Sequence, residues 1–232
     1  MSSAFFQRWF VICFLNMLFS LVHGQEYLYE IGGMGGGAFY MGDANKTALF
    51  KNLNPSAGIV FRYNANFRIA FRGSLAWATV SGSTDGSGNV FPNDAKASFS
   101  RSLFELGGQF EYNFFPYSDK FAYLNTKRLS PYLLVGLGVT AVPGSETFAG
   151  VNLPLGAGVK YKLKNRLNIG CEFSVRKLFG DGLDVTNGSN KLLDNPYGIS
   201  SSMMKNKDWY SLLLISVTWD FGPRNRQCNS AE

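Results

Sequence analysis

The feature that most constrains this chain is alternation. Eight segments of 11 to 17 residues each carry large apolar side chains on every second position. Phe104, Leu106, Phe110, Tyr112 and Phe114 share one face, with Glu105, Gln109, Glu111 and Asn113 between them. A period of two means β-strand. The predicted strands are 26–42, 54–64, 67–81, 99–115, 130–143, 150–163, 166–180 and 208–222. Ala57, Ile59, Phe61 and Tyr63 share the apolar face of the second, and Phe67, Ile69, Phe71, Leu75 and Trp77 that of the third.

The opposite faces carry charge: Glu30, Arg62, Arg68, Arg72, Glu105, Glu111, Lys160, Lys162, Glu172, Arg176 and Asp220. Glycines such as Gly32, Gly36, Gly58 and Gly136 fill much of the rest. A soluble sandwich or barrel also alternates, so other features must decide the solvent. The segments far exceed the usual strand length of about five or six residues. Their apolar faces end in aromatics, as at Tyr27, Tyr29, Tyr112, Phe114, Trp219 and Phe221, which are girdle positions of a membrane barrel. Composition agrees: 16% aromatic and only 16% charged residues, against about 25% charged in soluble domains. No second apolar run reaches the length of a spanning helix, so a membrane form must be a closed barrel with no free strand edge. The expected fold is an all-β, eight-stranded antiparallel transmembrane barrel of OmpA or OmpX size with a filled polar lumen.

Residues 1–24 read as a signal peptide. Arg8 precedes the apolar run Trp9 to Val22, and Val22-His23-Gly24 offers a cleavage site; a buried amphipathic helix is the alternative. The mature barrel would cover 25–222 and a periplasmic tail 223–232. Cleavage removes Arg8 and the only histidine, His23, leaving a net charge of +5. A histidine-assisted serine or a histidine zinc site is thereby excluded, and the expectation is a protein that is not an enzyme and takes no cofactor. The run Gly32 to Asp43 lacks the GK[ST] and strand–helix setting of a nucleotide site. The acidic residues of 181–194 lack calcium-loop spacing.

Connections alternate in length. Asn64-Ala65-Asn66 and Lys164-Asn165 are tight turns, whereas 44–53, 82–98 and 181–207 are long. Short turns belong in the periplasm and long loops outside, so both termini are expected in the periplasm of a diderm bacterium. Pro116 to Leu129 breaks the pattern as a long periplasmic turn. The lumen charges nearly balance, and an eight-stranded barrel is only wide enough for its own side chains, so an ion-pair plug is expected. Basic residues Lys120, Lys127, Arg128, Lys164, Arg166, Arg224 and Arg226 gather at the periplasmic rim. They suit headgroup anchoring or a docking surface for a periplasmic partner, for which Tyr117, Asp119, Lys120, Phe121, Lys127, Arg128, Arg224, Arg226 and Cys228 are the candidates. Nucleic acid is excluded by compartment. Cys171 falls mid-strand on the lipid face and Cys228 on the tail, too far apart to pair; Cys228 is expected to form an intermolecular disulfide in an oxidising space.

FSRSLFELGGQFEYNFFPYSDKFAY, SPYLLVGLG, LPLGAGVKYKLKNRLNIGCEFSVRKLF, DNPY and DWYSLLLISVTWDFG together resemble the PorG family of outer-membrane subunits of the type IX secretion system. NFFPY and GVKYKL occur in a wider group of small outer-membrane barrels; the SDKFAY turn and WDFG with a Cys-bearing tail point more narrowly. The resemblance covers nearly the whole mature chain. It implies an integral outer-membrane protein that anchors or assembles a periplasmic ring of the lipoprotein PorK with PorN. A generic envelope or adhesion barrel acting through its outer loops, and an outer-membrane lipid enzyme, are the other classes.

Overall fold

The computed structural model describes residues 27–41, 52–83, 98–118, 125–144, 147–163, 166–179, 183 and 208–222. Residues 1–26, the tail from residue 223 and nearly all of loop 181–207 lie outside the described residues. Eight strands run in order: β1 Tyr29–Met41, β2 Asn54–Asn64, β3 Ile69–Ser83, β4 Ser98–Asn113, β5 Leu129–Val142, β6 Phe148–Lys162, β7 Leu167–Leu178 and β8 Trp209–Phe221. Each pairs antiparallel with its sequence neighbours, and β1 pairs with β8, so the sheet closes into a barrel. Among the described residues no helix is long and apolar enough to cross a membrane.

Closure fixes two faces for every strand. Outward residues are apolar and well exposed: Ile59 at 59%, Leu106 at 64%, Leu137 at 63% and Ile215 at 60%. The charged side chains of the strands turn inward except Lys177, whose Nζ lies 5.0 Å from the Trp209 ring on the outer face. The register makes this consistent from strand to strand, because Glu30 lies opposite both Arg62 and Asp220 while Tyr29 lies opposite Tyr63 and Phe221. A one-residue slip would place every inward charge outside. β8 has 13 residues; at ~3.3 Å per residue and a tilt of about 40° it rises roughly 30 Å, enough for the ~25 Å apolar band of a membrane barrel and its interfaces.

Glycine lets the first and last strands approach. A Cβ on Gly32 would lie 2.0 Å from the Val217 carbonyl oxygen, and one on Gly36 would lie 2.0 Å from that of Leu213. The β1–β8 seam therefore excludes side chains here.

The interior departs from the expectation of a wholly polar lumen. Its half nearest the chain termini is polar, but the half nearest the long loops is mixed: Ala78, Val80, Phe99, Leu103, Val142, Leu178 and Leu212 pack around the buried Glu105–Arg176 pair and the hydrogen-bonded Thr140, Asn152 and Tyr210. The cause is visible in β8, where Leu212-Leu213-Leu214-Ile215 is apolar on both faces. Such a run marks a strand buried on its inner side and greasy on its outer side.

Candidate functional site

Two regions concentrate polar side chains: the lumen's polar half and the rim at the end bearing the termini. In the lumen, the Glu111 carboxylate is fully buried and gathers cations from three strands. Arg62 Nε donates to it at 2.8 Å, Lys160 Nζ at 3.1 Å and Arg72 Nη1 at 3.5 Å. Arg62 also reaches Glu30 at 3.1 Å, and Arg72 pairs with Glu172. Lys162 Nζ meets Asp220 at 2.5 Å, and Arg176 Nε meets Glu105 at 3.0 Å. Five cations and five anions thus form the network, and each of them is buried. A buried charge without a partner is costly, and most of these pairs are made across the lumen rather than between facing positions, since the register sets Glu30 opposite Asp220 and Arg62 opposite Arg72.

Arg68 is a correction. Alternation placed it in the lumen, but it is exposed and donates through Nη1 to the Phe114 carbonyl at 2.7 Å. The Asn66 side chain is the reason. Its Oδ1 accepts from the backbone N–H of Arg68 at 2.8 Å and of Ile69 at 2.7 Å, folding 66–69 into an Asx turn. β3 therefore starts two residues later than expected, and Phe67 and Arg68 leave the alternating pattern; Phe67 is buried rather than outward.

Neutral residues that the charge pattern does not single out complete the network. Tyr132 donates to Glu172 at 2.8 Å, and Tyr210 to Glu105 at 2.5 Å. Asn168 donates to Asp220 at 2.6 Å and Thr218 to Glu30 at 3.1 Å. Their parity was the available signal. Tyr210 and Thr218 share the inward parity of Asp220, as Asn168 shares that of Glu172.

The rim turn between β4 and β5 is also different from expectation. Tyr117, a candidate docking residue, is buried and folded under the barrel mouth. Its hydroxyl donates to Asn168 Oδ1 at 3.1 Å, and its ring lies 5.2 Å from Lys160 Nζ and 5.3 Å from Lys162 Nζ. The backbone follows: Tyr117 N–H donates to Phe67 O at 3.1 Å, and Lys127 N–H to Pro116 O at 2.8 Å. The start of the long turn is a stopper on the lumen, held by the network it covers. Lys127 and Arg128 remain exposed at the rim. Asp119, Lys120, Phe121, Arg224, Arg226 and Cys228 lie outside the described residues. Cys171 is exposed on the outer face of β7.

The outer surface above the rim carries a belt of aromatic contacts. Tyr29 stacks with Phe61 at 5.8 Å and meets Phe221 at 5.7 Å; Tyr63 faces Phe71 at 6.5 Å, and Phe71 meets Phe110 at 5.8 Å. Arg166 lies 4.5 Å from the Tyr27 ring, and Lys127 lies 4.2 Å from that of Phe115. Among the described residues no three His, Cys, Asp or Glu side chains converge as a metal-ligand set.

The family model described as "Domain of unknown function (DUF6089)" matches residues 7–231. Sequence comparison with curated proteins gives no match. In fold the chain is similar to Neisserial surface protein A, with a TM-score of 0.51 at 12% identity over 85% of this chain and 99% of that one. Ail, the attachment invasion locus protein of Yersinia pestis, gives 0.44 at 14% identity over 85% and 99%. The N-terminal β-barrel domain of Pseudomonas aeruginosa OprF gives 0.42 at 12% identity over 84% and 100%. The likeness to the neisserial protein establishes an outer-membrane-type barrel fold.

Proposed function

This chain belongs to the DUF6089 family, and we propose that it is an outer-membrane barrel that neither conducts nor catalyses but anchors other envelope components through its ends. The observation that carries this reading is the combination of an apolar exterior with an interior filled by paired charges and packed side chains. An exposed surface of leucine, isoleucine, valine and phenylalanine around a whole barrel is unfavourable in water and suits lipid. In the orientation proposed, the end with the termini and short turns faces the periplasm.

The more specific proposal is a type IX secretion role, in which the periplasmic end holds a ring of the lipoprotein PorK with PorN. The sequence motifs around NFFPY, SDKFAY and WDFG support it. Because Tyr117 is spent on closing the lumen, the docking surface is assigned to the remaining rim residues and the tail 223–232. Cys228 is proposed to link the tail covalently to a periplasmic partner.

The test is a pull-down of the tagged barrel from detergent-solubilised outer membrane, on reducing and non-reducing gels, for wild type, Cys228→Ser and a chain ending at Gly222. Recovery of a ring lipoprotein by wild type and its loss on truncation is the expected result. A reducible higher band, absent from Cys228→Ser, is expected for the disulfide. Recovery of the barrel alone would overturn the ring assignment in favour of a general envelope barrel acting through its outer loops.

A further inference from the structure

The outer face of β4 and β5 holds an arrangement that the anchoring role does not require. At its rim the Phe114–Phe115 pair is exposed and dressed with cations. Arg68 Nη1 bonds the Phe114 carbonyl at 2.7 Å, and Lys127 Nζ lies 4.2 Å from the Phe115 ring centre. Arg128 is the next residue and is exposed. Among the described residues of this rim, the acidic side chains Glu30 and Asp220 both turn into the lumen and are neutralised there. Among the described residues the exposed rim here is therefore cationic above an aromatic base.

Along the same strand face, Phe114, Tyr112, Phe110 and Gly108 follow in order toward the barrel's waist. Gly108 pairs with Gly73 of β3, and both glycines look outward. A Cβ on either would find nothing within 4 Å. Around these glycines the outer surface forms an open depression of ≈ 680 Å³, walled by Phe61, Phe71, Phe110 and Leu137. From Phe114 to Gly108 the strand covers about 20 Å, or ~15 Å of depth at a tilt of about 40°. Half the thickness of a ~30 Å hydrocarbon core is the same distance. The depression thus lies at the depth of the chain ends of one leaflet, reached from the cationic rim along the tilted strand.

We propose that this seam binds one anionic phospholipid of the leaflet at the terminal end, with its phosphate held by Arg68, Lys127 and Arg128 and an acyl chain ending in the Gly73–Gly108 depression. Charge selects the headgroup and the depression selects a chain of matching depth; neither alone would distinguish this seam from the rest of the belt. The inference rests on the membrane placement proposed above and not on the ring assignment.

The experiment is native mass spectrometry of the barrel released from nanodiscs of equal parts phosphatidylglycerol and phosphatidylcholine. Wild type is compared with Lys127→Gln/Arg128→Gln and with Gly108→Leu. Both variants change outward-facing residues and leave the lumen untouched, and circular dichroism checks that each stays folded. Wild type is expected to retain a single phosphatidylglycerol with a preference of about tenfold, in line with one to two cations acting on the net negative headgroup. The charge variant should lose the preference, and the glycine variant should lose retention of either lipid. Equal retention of both lipids by wild type, or a variant that retains lipid as wild type does, would overturn the site. Failure to enter nanodiscs would instead overturn the membrane placement itself.

Discussion

Three cations converge on the carboxylate of Glu111, from Arg62 on β2, Arg72 on β3 and Lys160 on β6. In water each such contact would contribute little; inside the barrel none of these groups has solvent to fall back on. Replacing a whole buried pair by apolar residues is often neutral, whereas removing one partner strands the other. Glu111→Ala is therefore expected to lower stability by about 3–5 kcal/mol, read as a shift in the urea midpoint of the barrel in lipid vesicles. Arg68→Ala provides the contrast. Arg68 is exposed outside the network, so its loss should stay within about 0.5 kcal/mol. Comparable losses for the two substitutions would show that the lumen charges are not acting as a coupled set. The pairing also accounts for the neutral members: Tyr132 and Tyr210 supply hydroxyl donors to Glu172 and Glu105 at positions where further cations would upset the balance.

At the scale of elements, the β1–β8 seam closes the barrel and depends on glycine. Gly36→Ala would drive a methyl to 2.0 Å from a backbone oxygen of β8, which a flexible side chain cannot relieve. A cost of roughly 1–3 kcal/mol or a failure to close is expected, visible as loss of the folded fraction on refolding into lipid. Gly73→Ala, with nothing within 4 Å of the new methyl, should fold as well as wild type. Much of this element-level plan was legible in the residues. β2 was expected at 54–64 and is observed at Asn54–Asn64, because its alternation is unbroken and a turn follows it directly. Strand number and order, and the inward side of every expected lumen charge except Arg68, follow from the same parity. What parity could not supply was tertiary. It assigns Leu103 and Leu212 to the lumen side but does not say that they meet there in one packed cluster. It marks Pro116 to Leu129 as too long, yet not that Tyr117 turns back to Asn168, a contact spanning 51 residues. Arg68 was misplaced because a side-chain bond from Asn66 ends the alternation, and no periodicity records that.

For the molecule as a whole, the interior is closed three times along its axis. Tyr117 lies across the mouth at the terminal end, the paired charges fill the section above it, and Leu103, Val142, Leu178 and Leu212 fill the section toward the long loops. Ions crossing the barrel would have to displace buried pairs and then pass a section in which Leu103, Val142, Leu178 and Leu212 pack around the hydrogen-bonded Thr140, Asn152 and Tyr210. That packed section is sufficient by itself, since an eight-stranded barrel filled by its own side chains leaves no aqueous path. The barrel reconstituted in a planar bilayer is therefore expected to stay silent at about 100 mV, a field that supplies only ~2.3 kcal/mol per elementary charge. The double variant Glu111→Ala/Tyr117→Ala, which opens the lower two obstructions, should stay silent as well. Steady openings in wild type would contradict a filled lumen, and openings confined to the double variant would show that the seal lies around Glu111 and Tyr117 rather than in the packed section toward the loops. Silence in both would mean that whatever this barrel contributes to the envelope passes through its rims and its outer face, not through its axis.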